Sequence, residues 1–271
     1  MIVRNEDTAK IHLSEISSII FDTTAVYASA YLLAELAKLK IPVIVCDERH
    51  NPIGEYLPLY GAHNTSKRIA EQIQWSEPAK KRVWQSVVRE KIRQQMYVLE
   101  ELGLAQSRTL SRYIEDVRSG DTTNCEAHAA RVYFNALFGD EFSRGGSDAR
   151  NGLLNYGYAI LLSLVNREVV ARGYITQIGI FHHNEYNQFN LACDFMEPFR
   201  PIVDRLVVET SSQELSPDIR RMMLDITNQT VSYQDGSYKL CSVVSQYIQD
   251  CLNALAKRIS YDEIAEFSLC G

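Results

Sequence analysis

The sequence lacks several features that would place it in a special class of protein. None of its six cysteines forms a CxxC pair, and most stand among apolar neighbours, as in "VIVC" and "NLAC". This pattern indicates neither a disulfide framework nor a cysteine-rich zinc site. The sequence also has no apolar run long enough to span a bilayer, and its N-terminus does not resemble a secretion signal. We therefore predict a cytoplasmic protein with no membrane association.

An excess of basic residues is also missing. The chain has 28 Lys and Arg against 34 Asp and Glu, which gives a formal net charge of −6. This balance weighs against a nucleic-acid-binding protein, because such proteins usually carry a basic excess. However, a basic groove can coexist with acidic faces elsewhere on the surface. With 46% hydrophobic and 23% charged residues in 271, the chain has an ordinary globular composition that identifies no function.

The first sixty residues differ in pattern from the rest. "IHLSEISSIIFD" suggests a strand pair, "AVYASAYLLAELAKLK" has helical spacing, and "IPVIVCD" reads as a short buried strand. We predict a small β-rich, β-sandwich-like domain with one crossover helix over residues 1–62. The turn-forming stretch "HNPIGEYLPLYGAHNTS" places the domain boundary near 60–66.

Helical periodicity dominates after this boundary, so residues 63–271 are expected to form a larger all-α catalytic domain and the whole chain an α+β fold. One exception is "VSYQDGSYKL", in which Asp-Gly between alternating runs predicts a hairpin. Four glycines stand where helix C-caps are expected, namely Gly103, Gly120, Gly139 and Gly173.

The first candidate functional residue lies in "DTTNCEAHAARVYFNALFG". Thr123 or Asn124 can cap this helix, and Glu126 shares a largely apolar face with Tyr133. A carboxylate on such a face must be paired, coordinated to a metal or placed at the rim of a cleft. The alternative is a first-turn glutamate that simply interacts favourably with the helix dipole.

A second group of polar residues lies in "FHHNEYNQFNLACDFMEPFRP". Asp194 and Glu197 are neighbours on one helical turn, so they repel each other unless a cation lies between them or one is protonated. Pro198 predicts a local irregularity of the helix. Arg200 lies on the side of Glu197 and can pair with it, so a simple surface network of Asp, Glu and Arg is the alternative to a metal site.

Two adjacent histidines precede these carboxylates. Either His182 or His183 can reach the carboxylates after a loop, and the spacing does not choose between them. One histidine with two carboxylates suits Mn²⁺ or Mg²⁺ better than zinc, because most of the ligands are hard oxygens. Mn²⁺ is the better match of the two, since Mg²⁺ less often has a histidine ligand.

Taken together, these segments resemble the universal large subunit of the CRISPR adaptation integrase, in its type II-A form. The resemblance covers essentially the whole chain and is carried by "IHLSEI", "DTTNCEAHAARVYFNALFGDEFSR", "NGLLNYGYAILLSLVNREVVARG" and "FHHNEYNQFNLACDFMEPFRPIVDR". It departs from the family at Ala127, where glycine is usual. Family members also usually carry additional residues before "IVRNEDTAK", so the β-rich domain is expected to lack its first strands.

The resemblance implies a set of catalytic residues. Glu126, His182 and Glu197 would be the metal ligands, with His182 selected over His183 by its spacing from Glu197. Asp194 matches a neighbouring acid of the family and would support the site. His128 or Tyr133 would be candidates for moving a proton or orienting DNA.

The resemblance also implies an activity and partners. A 3′-hydroxyl of a short foreign DNA duplex would attack a phosphodiester of the CRISPR repeat, with Mg²⁺ or Mn²⁺ as cofactor and without ATP. The chain would form a homodimer through its β-rich domain, and a small ferredoxin-like subunit would bridge two dimers. Double-stranded DNA would be held through its backbone, with the following candidate contacts: Lys80, Lys81, Arg82, Arg89, Arg93, Arg144, Arg167 and Arg200.

Two other functions stay open from the sequence. The chain can be a non-catalytic DNA-scaffolding subunit with a vestigial metal site. It can also be a metal-dependent nuclease that acts alone on branched DNA. Joined rather than merely cleaved DNA products would distinguish the integrase from both.

Overall fold

The structure is a computed structural model, and it describes residues 1–4, 8–16, 18–48, 52–59, 62–210, 214–234 and 236–269. Two parts of the sequence predictions lie outside these ranges. Residues 60 and 61 belong to the expected domain boundary, and Asp235 belongs to the expected Asp-Gly turn. The division at residue 62 stays a prediction.

The N-terminal part contains two small sheets in its described residues. Strands β1 (Ile2–Arg4) and β2 (Thr8–Lys10) pair antiparallel. Strand β3 (Ile19–Phe21) pairs parallel with β4 (Val43–Cys46), and β5 (Pro52–Tyr56) adds antiparallel to the other edge of β4. A parallel pair requires a crossover connection.

Helix α1 (Ala30–Lys38) provides that crossover between β3 and β4. It begins at Ser29, whose side chain accepts a hydrogen bond from the Leu32 N–H, and it buries Leu36 against the sheet. The predicted β-rich region with one crossover helix is therefore confirmed. The strand pair expected in "IHLSEISSIIFD" is wrong in its first half, because Leu13–Glu15 forms a 3-10 turn stabilised by the His12 side chain.

Helices dominate the rest of the chain. The two longest, α3 and α6, run through the main core, where α3 packs on α4, α5 and α10, and α6 packs on α7, α8, α9 and α10. None of the helices in the described residues is long and apolar enough to cross a membrane. The bounds are α2 Thr65–Ile73, α3 Glu77–Glu101, α4 Ser107–Asp116, α5 Cys125–Phe138, α6 Arg150–Ala171, α7 Asn190–Met196, α8 Arg200–Glu209, α9 Pro217–Leu224 and α10 Leu240–Leu255.

A three-stranded antiparallel sheet interrupts the helical part. The predicted hairpin is confirmed as β6 (Thr230–Tyr233) and β7 (Gly236–Lys239). The sequence pattern did not predict β8 (Phe267–Ser268), which pairs with the other edge of β6. Gln94 of α3 holds this strand, since it donates to the Phe267 carbonyl at 2.5 Å and accepts from the Leu269 N–H at 2.9 Å.

Three of the four glycines expected at helix ends lie there with positive φ. Gly103 follows α3, Gly139 ends α5 and Gly173 follows α6. The prediction is wrong for Gly120, which lies in a 3-10 turn at Ser119–Asp121, just before α5. That turn contributes to the candidate site.

Polar contacts hold the N-terminal part against α6. The Glu55 carboxylate of β5 accepts hydrogen bonds from Ser163 at 2.5 Å and Asn166 at 2.9 Å. Arg167 donates from Nε to the Lys40 carbonyl at 3.0 Å. The bonds from Ser163 and Asn166 satisfy the Glu55 carboxylate, whose burial without a hydrogen-bond partner would be destabilising.

Candidate metal and DNA site

Glu126 is positioned by an unusual start of helix α5. The Asp121 carboxylate accepts hydrogen bonds from the backbone N–H groups of Cys125 at 2.9 Å and Glu126 at 3.0 Å. The prediction of Thr123 or Asn124 as the cap is correct only for the position. Asn124 is the N-cap residue, with φ +53°, but its side chain makes no capping hydrogen bond. Asp121 itself has φ +47°, a conformation that Asp tolerates better than most residues.

The loop before α7 positions His182 through a single buried carboxylate. Asp194 accepts from the backbone N–H groups of Ile180 at 2.6 Å, Phe181 at 3.1 Å and His182 at 3.0 Å. The same carboxylate lies 2.6 Å from Nδ1 of the His182 ring. Asp194 thereby fixes both the loop and the His182 ring. It contacts Nδ1, so Nε2 is the ring nitrogen that is not bound to Asp194. A carboxylate behind the ring in this way is usual for metal-binding histidines.

Aromatic packing also separates the two adjacent histidines. Trp84 of α3 is buried and stacks on Phe181 with ring centroids 4.2 Å apart, and its ring meets His182 edge-on at 5.9 Å. His183 is exposed and lies within electrostatic reach of Glu77 at the start of α3. Of the two histidines, the structure brings His182 to the carboxylates.

The irregularity predicted at Pro198 is confirmed. Helix α7 ends at Met196, a 3-10 turn covers Glu197–Phe199, and α8 begins at Arg200. This turn buries Glu197, and Arg200 donates from Nε to its Oε1 at 2.9 Å, which confirms the predicted ion pair. Glu197 is buried and Arg200 is partly buried, so the pair is not a simple surface network.

The sequence reasoning missed Lys91, which lies between two of the candidate ligands. Its Nζ is 2.7 Å from Oε1 of Glu126 and 2.5 Å from Oε2 of Glu197. The signal was available, because Lys91 falls at helical spacing between Trp84 and Val98 on the buried face of α3. A lysine on such a face needs a carboxylate partner.

The charges of the site depend strongly on one another. Burial alone would raise the pKa of Glu197, but Arg200 and Lys91 outweigh it and lower the pKa to about 2. Burial likewise opposes the charged form of Lys91, and Glu197 and Glu126 together raise its pKa. The hydrogen bond to Asp194 raises the pKa of His182, and Glu197 and Glu126 add to this effect. Glu126 and Glu197 therefore favour positive charge both on Lys91 and on the His182 ring.

A small cavity of about 170 Å³, with several charged residues in its lining, adjoins Glu197. On its far side the buried Asp204 accepts a hydrogen bond from Tyr158, and burial raises the pKa of Asp204 to about 6. The guanidinium groups of Arg144 and Arg200 lie 5.1 Å and 4.6 Å from the centre of the Tyr158 ring. Lys91, Gln95 and Phe134 complete the lining.

The two residues suggested as auxiliary groups lie in different environments. Tyr133 is fully buried, and its hydroxyl opposes the rise that burial causes in the pKa of Asp204. His128 is exposed and stacks on Tyr113 with ring centroids 6.3 Å apart. Their proposed roles in proton transfer or DNA orientation stay predictions.

The eight basic residues named as DNA contacts do not form one surface. Lys80, Lys81 and Arg82 lie together in the first turns of α3, where Lys81 and Arg82 are exposed and Lys80 pairs with Glu77 at 2.9 Å. Arg144 and Arg200 line the cavity beside Glu197.

The remaining three basic residues are engaged in structural contacts. Arg89 donates to the Val117 carbonyl at 3.3 Å, Arg93 pairs with Glu266 at 2.8 Å, and Arg167 donates to a backbone carbonyl of the N-terminal part. A basic residue with such a partner has less freedom to follow a DNA backbone.

The donor set fits a divalent cation in its chemistry. Within the described ranges no group of three or more His, Cys, Asp or Glu side chains is arranged as a ready-made metal site. The Lys91 ammonium lies between the two glutamates. A buried monovalent cation held by Glu126 and Glu197 shows that this place accommodates positive charge. The oriented His182 ring adds the nitrogen donor suited to Mn²⁺.

Comparison with known proteins identifies the family. The model of the family described as "CRISPR associated protein Cas1" matches residues 1–219. The chain belongs to the Cas1 family. A CRISPR-associated endonuclease Cas1 of Neisseria meningitidis is 36% identical over 255 residues, covering 92% of this chain and 84% of that protein. A second Cas1 endonuclease, from Pyrobaculum aerophilum, is 28% identical over 74% of this chain and 73% of its own length.

Solved structures share the Cas1 fold. A CAS1 protein from Thermotoga maritima superposes with a TM-score of 0.56 at 15% identity, covering 94% of this chain and 90% of that one. A casposase bound to integration product gives a TM-score of 0.75 at 21% identity, covering 90% of this chain and 80% of the other. The predicted fold class, a small β-rich region followed by a larger helical part, is confirmed by these similarities.

Proposed function

We propose that this member of the Cas1 family is a metal-dependent DNA integrase of CRISPR adaptation. The observation that supports the proposal is that Glu126 and Glu197 meet at one buried positive charge, with His182 close enough for both carboxylates to raise its pKa. The casposase that shares the fold was solved with an integration product, and the relative from Neisseria is named an endonuclease. Both names agree with strand cleavage and joining.

Glu126, His182 and Glu197 are the proposed ligands of one Mg²⁺ or Mn²⁺. When bound, such a cation polarises a phosphoryl oxygen and stabilises charge in the in-line transition state, a contribution of several kcal/mol. Asp194 orients the His182 ring through Nδ1, so that its other nitrogen is available for the cation. Arg200 keeps Glu197 ionised and in place, because its Nε holds Oε1.

The proposed reaction exchanges one phosphodiester for another. The 3′-oxygen of the incoming fragment forms a bond to the phosphorus at the repeat end, and the bond from that phosphorus to the 3′-oxygen of the repeat strand breaks. The attacking hydroxyl loses a proton and the departing oxygen gains one. Because one phosphodiester replaces another, no nucleoside triphosphate is consumed. Arg144 and Arg200, which line the cavity beside Glu197, are placed to attract the phosphate.

DNA is proposed to be held through its backbone, since incoming fragments vary in sequence. The exposed Lys81 and Arg82, with neighbouring Lys80, form a basic end of α3 that suits this role. Arg89, Arg93 and Arg167 are the less suitable candidates, because each already has a structural partner. Backbone contacts of this kind make DNA affinity strongly dependent on salt.

The N-terminal part is proposed to form a homodimer. Its surface exposes several large apolar side chains, which is unusual for a face that stays in water. Tyr27 is completely exposed, Tyr31 is 77% exposed and Leu59 is 85% exposed. Two dimers bridged by a small ferredoxin-like subunit would span both ends of a fragment, and a structural relative belongs to a Cas6-RT-Cas1–Cas2 complex.

A strand-transfer assay tests the proposal against its two alternatives. Labelled duplex with 3′-hydroxyl ends, repeat DNA, Mn²⁺ and the small partner subunit are combined with wild type, Glu197→Ala or Glu185→Gln. The last variant removes an exposed carboxylate from the loop before α7 and serves as the control. Joined product from wild type and the control, but not from Glu197→Ala, supports the integrase.

The other outcomes are equally informative. Cleaved DNA without joined product would indicate a nuclease acting alone. Equal joined product from wild type and Glu197→Ala would show that the reaction takes place elsewhere. DNA binding with neither reaction would favour the scaffolding subunit.

A further inference from the structure

Lys91 occupies the place where a cation bound by both Glu126 and Glu197 would lie. Its ammonium nitrogen lies 2.7 Å from Glu126 and 2.5 Å from Glu197. A divalent ion bound to these same oxygens would lie at about 2.0–2.1 Å from each in the case of Mg²⁺. The two positions overlap, so an ammonium group and a metal ion cannot both be there.

While Lys91 is paired with Glu126 and Glu197, most of their carboxylate oxygens are already engaged. Both oxygens of Glu197 are already engaged, Oε2 with Lys91 and Oε1 with Arg200. A metal ion placed between Glu126 and Glu197 therefore competes directly with the Lys91 ammonium, whereas Arg200 holds the other oxygen of Glu197. Arg200 also packs over the Tyr158 ring, whereas Lys91 is held at its tip by the two carboxylates. Lys91 is the cation that lies between the two proposed metal ligands.

The molecule has room for the displaced ammonium. Lys91 lines the cavity of about 170 Å³ beside Glu197, together with Gln95 and Asp204. The amide oxygen of Gln95 and the carboxylate of Asp204 are acceptors on that lining. A rotation of the flexible lysine stem can therefore move the charge without unfolding helix α3.

We propose that Lys91 is a built-in counter-ion of the metal site. It holds Glu126 and Glu197 together before metal arrives and yields its place to the divalent cation. The inference rests on the proposed function, because it takes these two glutamates as metal ligands. Its consequence is a competition: Lys91 stabilises the metal-free protein and weakens metal binding.

Manganese titration of the DNA-free protein tests this competition. Binding of Mn²⁺ is followed by electron paramagnetic resonance or calorimetry in wild type, Lys91→Met and Lys91→Arg. Lys91→Met should bind Mn²⁺ about tenfold more tightly or better, since a unit charge at contact distance in a partly buried site exceeds the energy of a tenfold change. Lys91→Arg keeps the charge and should stay close to wild type.

A matched control and a second readout separate competition from a general structural effect. Lys67→Met removes a positive charge from an exposed position on helix α2 and should leave Mn²⁺ affinity unchanged. Without metal, Lys91→Met should melt at a lower temperature than wild type, and Mn²⁺ should restore most of the difference. If Lys91→Met folds poorly, Lys91→Gln replaces it.

Two results would overturn the inference. Unchanged Mn²⁺ affinity in Lys91→Met would mean that the ammonium does not compete with the metal, and weaker affinity would mean that Lys91 supports the ligands. A different result would instead reject the proposed function. If wild type does not bind Mn²⁺, or if Glu197→Ala binds it as tightly as wild type, these glutamates are not its ligands.

Discussion

Nδ1 of His182 lies 2.6 Å from a carboxylate oxygen of Asp194, and that carboxylate is completely buried. The same carboxylate accepts three backbone N–H groups from residues 180–182. One side chain therefore sets both the path of the loop and the direction of the imidazole. The first prediction concerns this pair.

Asp194→Ala should weaken both the fold and the site. Three backbone N–H groups, one buried and two partly buried, would lose their acceptor, for a loss on the order of 3 kcal/mol in the free energy of unfolding. Loss of a group that orients a metal ligand typically reduces metal affinity or activity about 10- to 100-fold. Urea unfolding and Mn²⁺ titration measure the two effects, and wild-type values in both would contradict the role of Asp194.

Gly179→Ala should disturb the same loop by crowding. A Cβ at Gly179 would lie 2.4 Å from the His182 carbonyl oxygen and 2.7 Å from Oδ2 of Asp194. We expect a loss of about 1–3 kcal/mol in stability together with reduced strand transfer. Gly152→Ala is the control, because a Cβ there meets nothing within 4 Å and alanine favours the helix. Equal behaviour of the two variants would contradict the close packing of the loop.

Asp121→Ala should loosen the start of α5. The variant removes the acceptor of the Cys125 and Glu126 N–H groups, which should cost about 1 kcal/mol and displace the Glu126 side chain. Asn124→Gly, at a residue with φ +53° and no capping bond, should change stability far less. Chemical denaturation measures the loss of stability in both variants. A larger loss in Asn124→Gly than in Asp121→Ala would contradict the capping role of Asp121.

Glu90 should make stability depend on pH. Burial raises the pKa of this carboxyl from its ordinary value of 4.5 to about 7, although Arg93 and Gln94 oppose the effect. Between these values the folded protein binds more protons than the unfolded one, so stability falls as pH rises from about 4.5 to about 7. The loss from this group is on the order of 3 kcal/mol.

Comparison of wild type with Glu90→Gln isolates this contribution. The variant cannot ionise, so its free energy of unfolding should fall less between pH 5 and pH 8 than that of wild type. Urea unfolding at pH 5 and at pH 8 measures how much the free energy of unfolding of each protein falls. Parallel pH profiles would mean that Glu90 titrates with an ordinary pKa in the folded state.

The sequence predicted the parts of this molecule that depend on local pattern. Helical spacing, the hairpin and the break at Pro198 follow from backbone chemistry within a few residues, and all three are present. The ion pair of Glu197 and Arg200 is also local, since the two residues are one helical turn apart. The first half of "IHLSEISSIIFD" misled the prediction, because the His12 side chain stabilises a turn there instead of a strand.

The parts that were missed depend on contacts between distant segments. Lys91 meets Glu126 and Glu197 across 35 and 106 residues of chain, so no local pattern could pair them. Asp121 was overlooked as a cap because its side chain acts through a turn with positive φ at two successive residues. Strand β8 has only two residues and depends on Gln94 of a distant helix.

The most direct test of the proposed site is a crystal structure of the protein with Mn²⁺, using the anomalous scattering of manganese. We predict one strong peak within coordination distance of Glu126, Glu197 and Nε2 of His182, with the Lys91 ammonium moved from between the glutamates. A manganese-bound crystal with no peak at these residues, or with Lys91 still bridging them, would contradict the proposal.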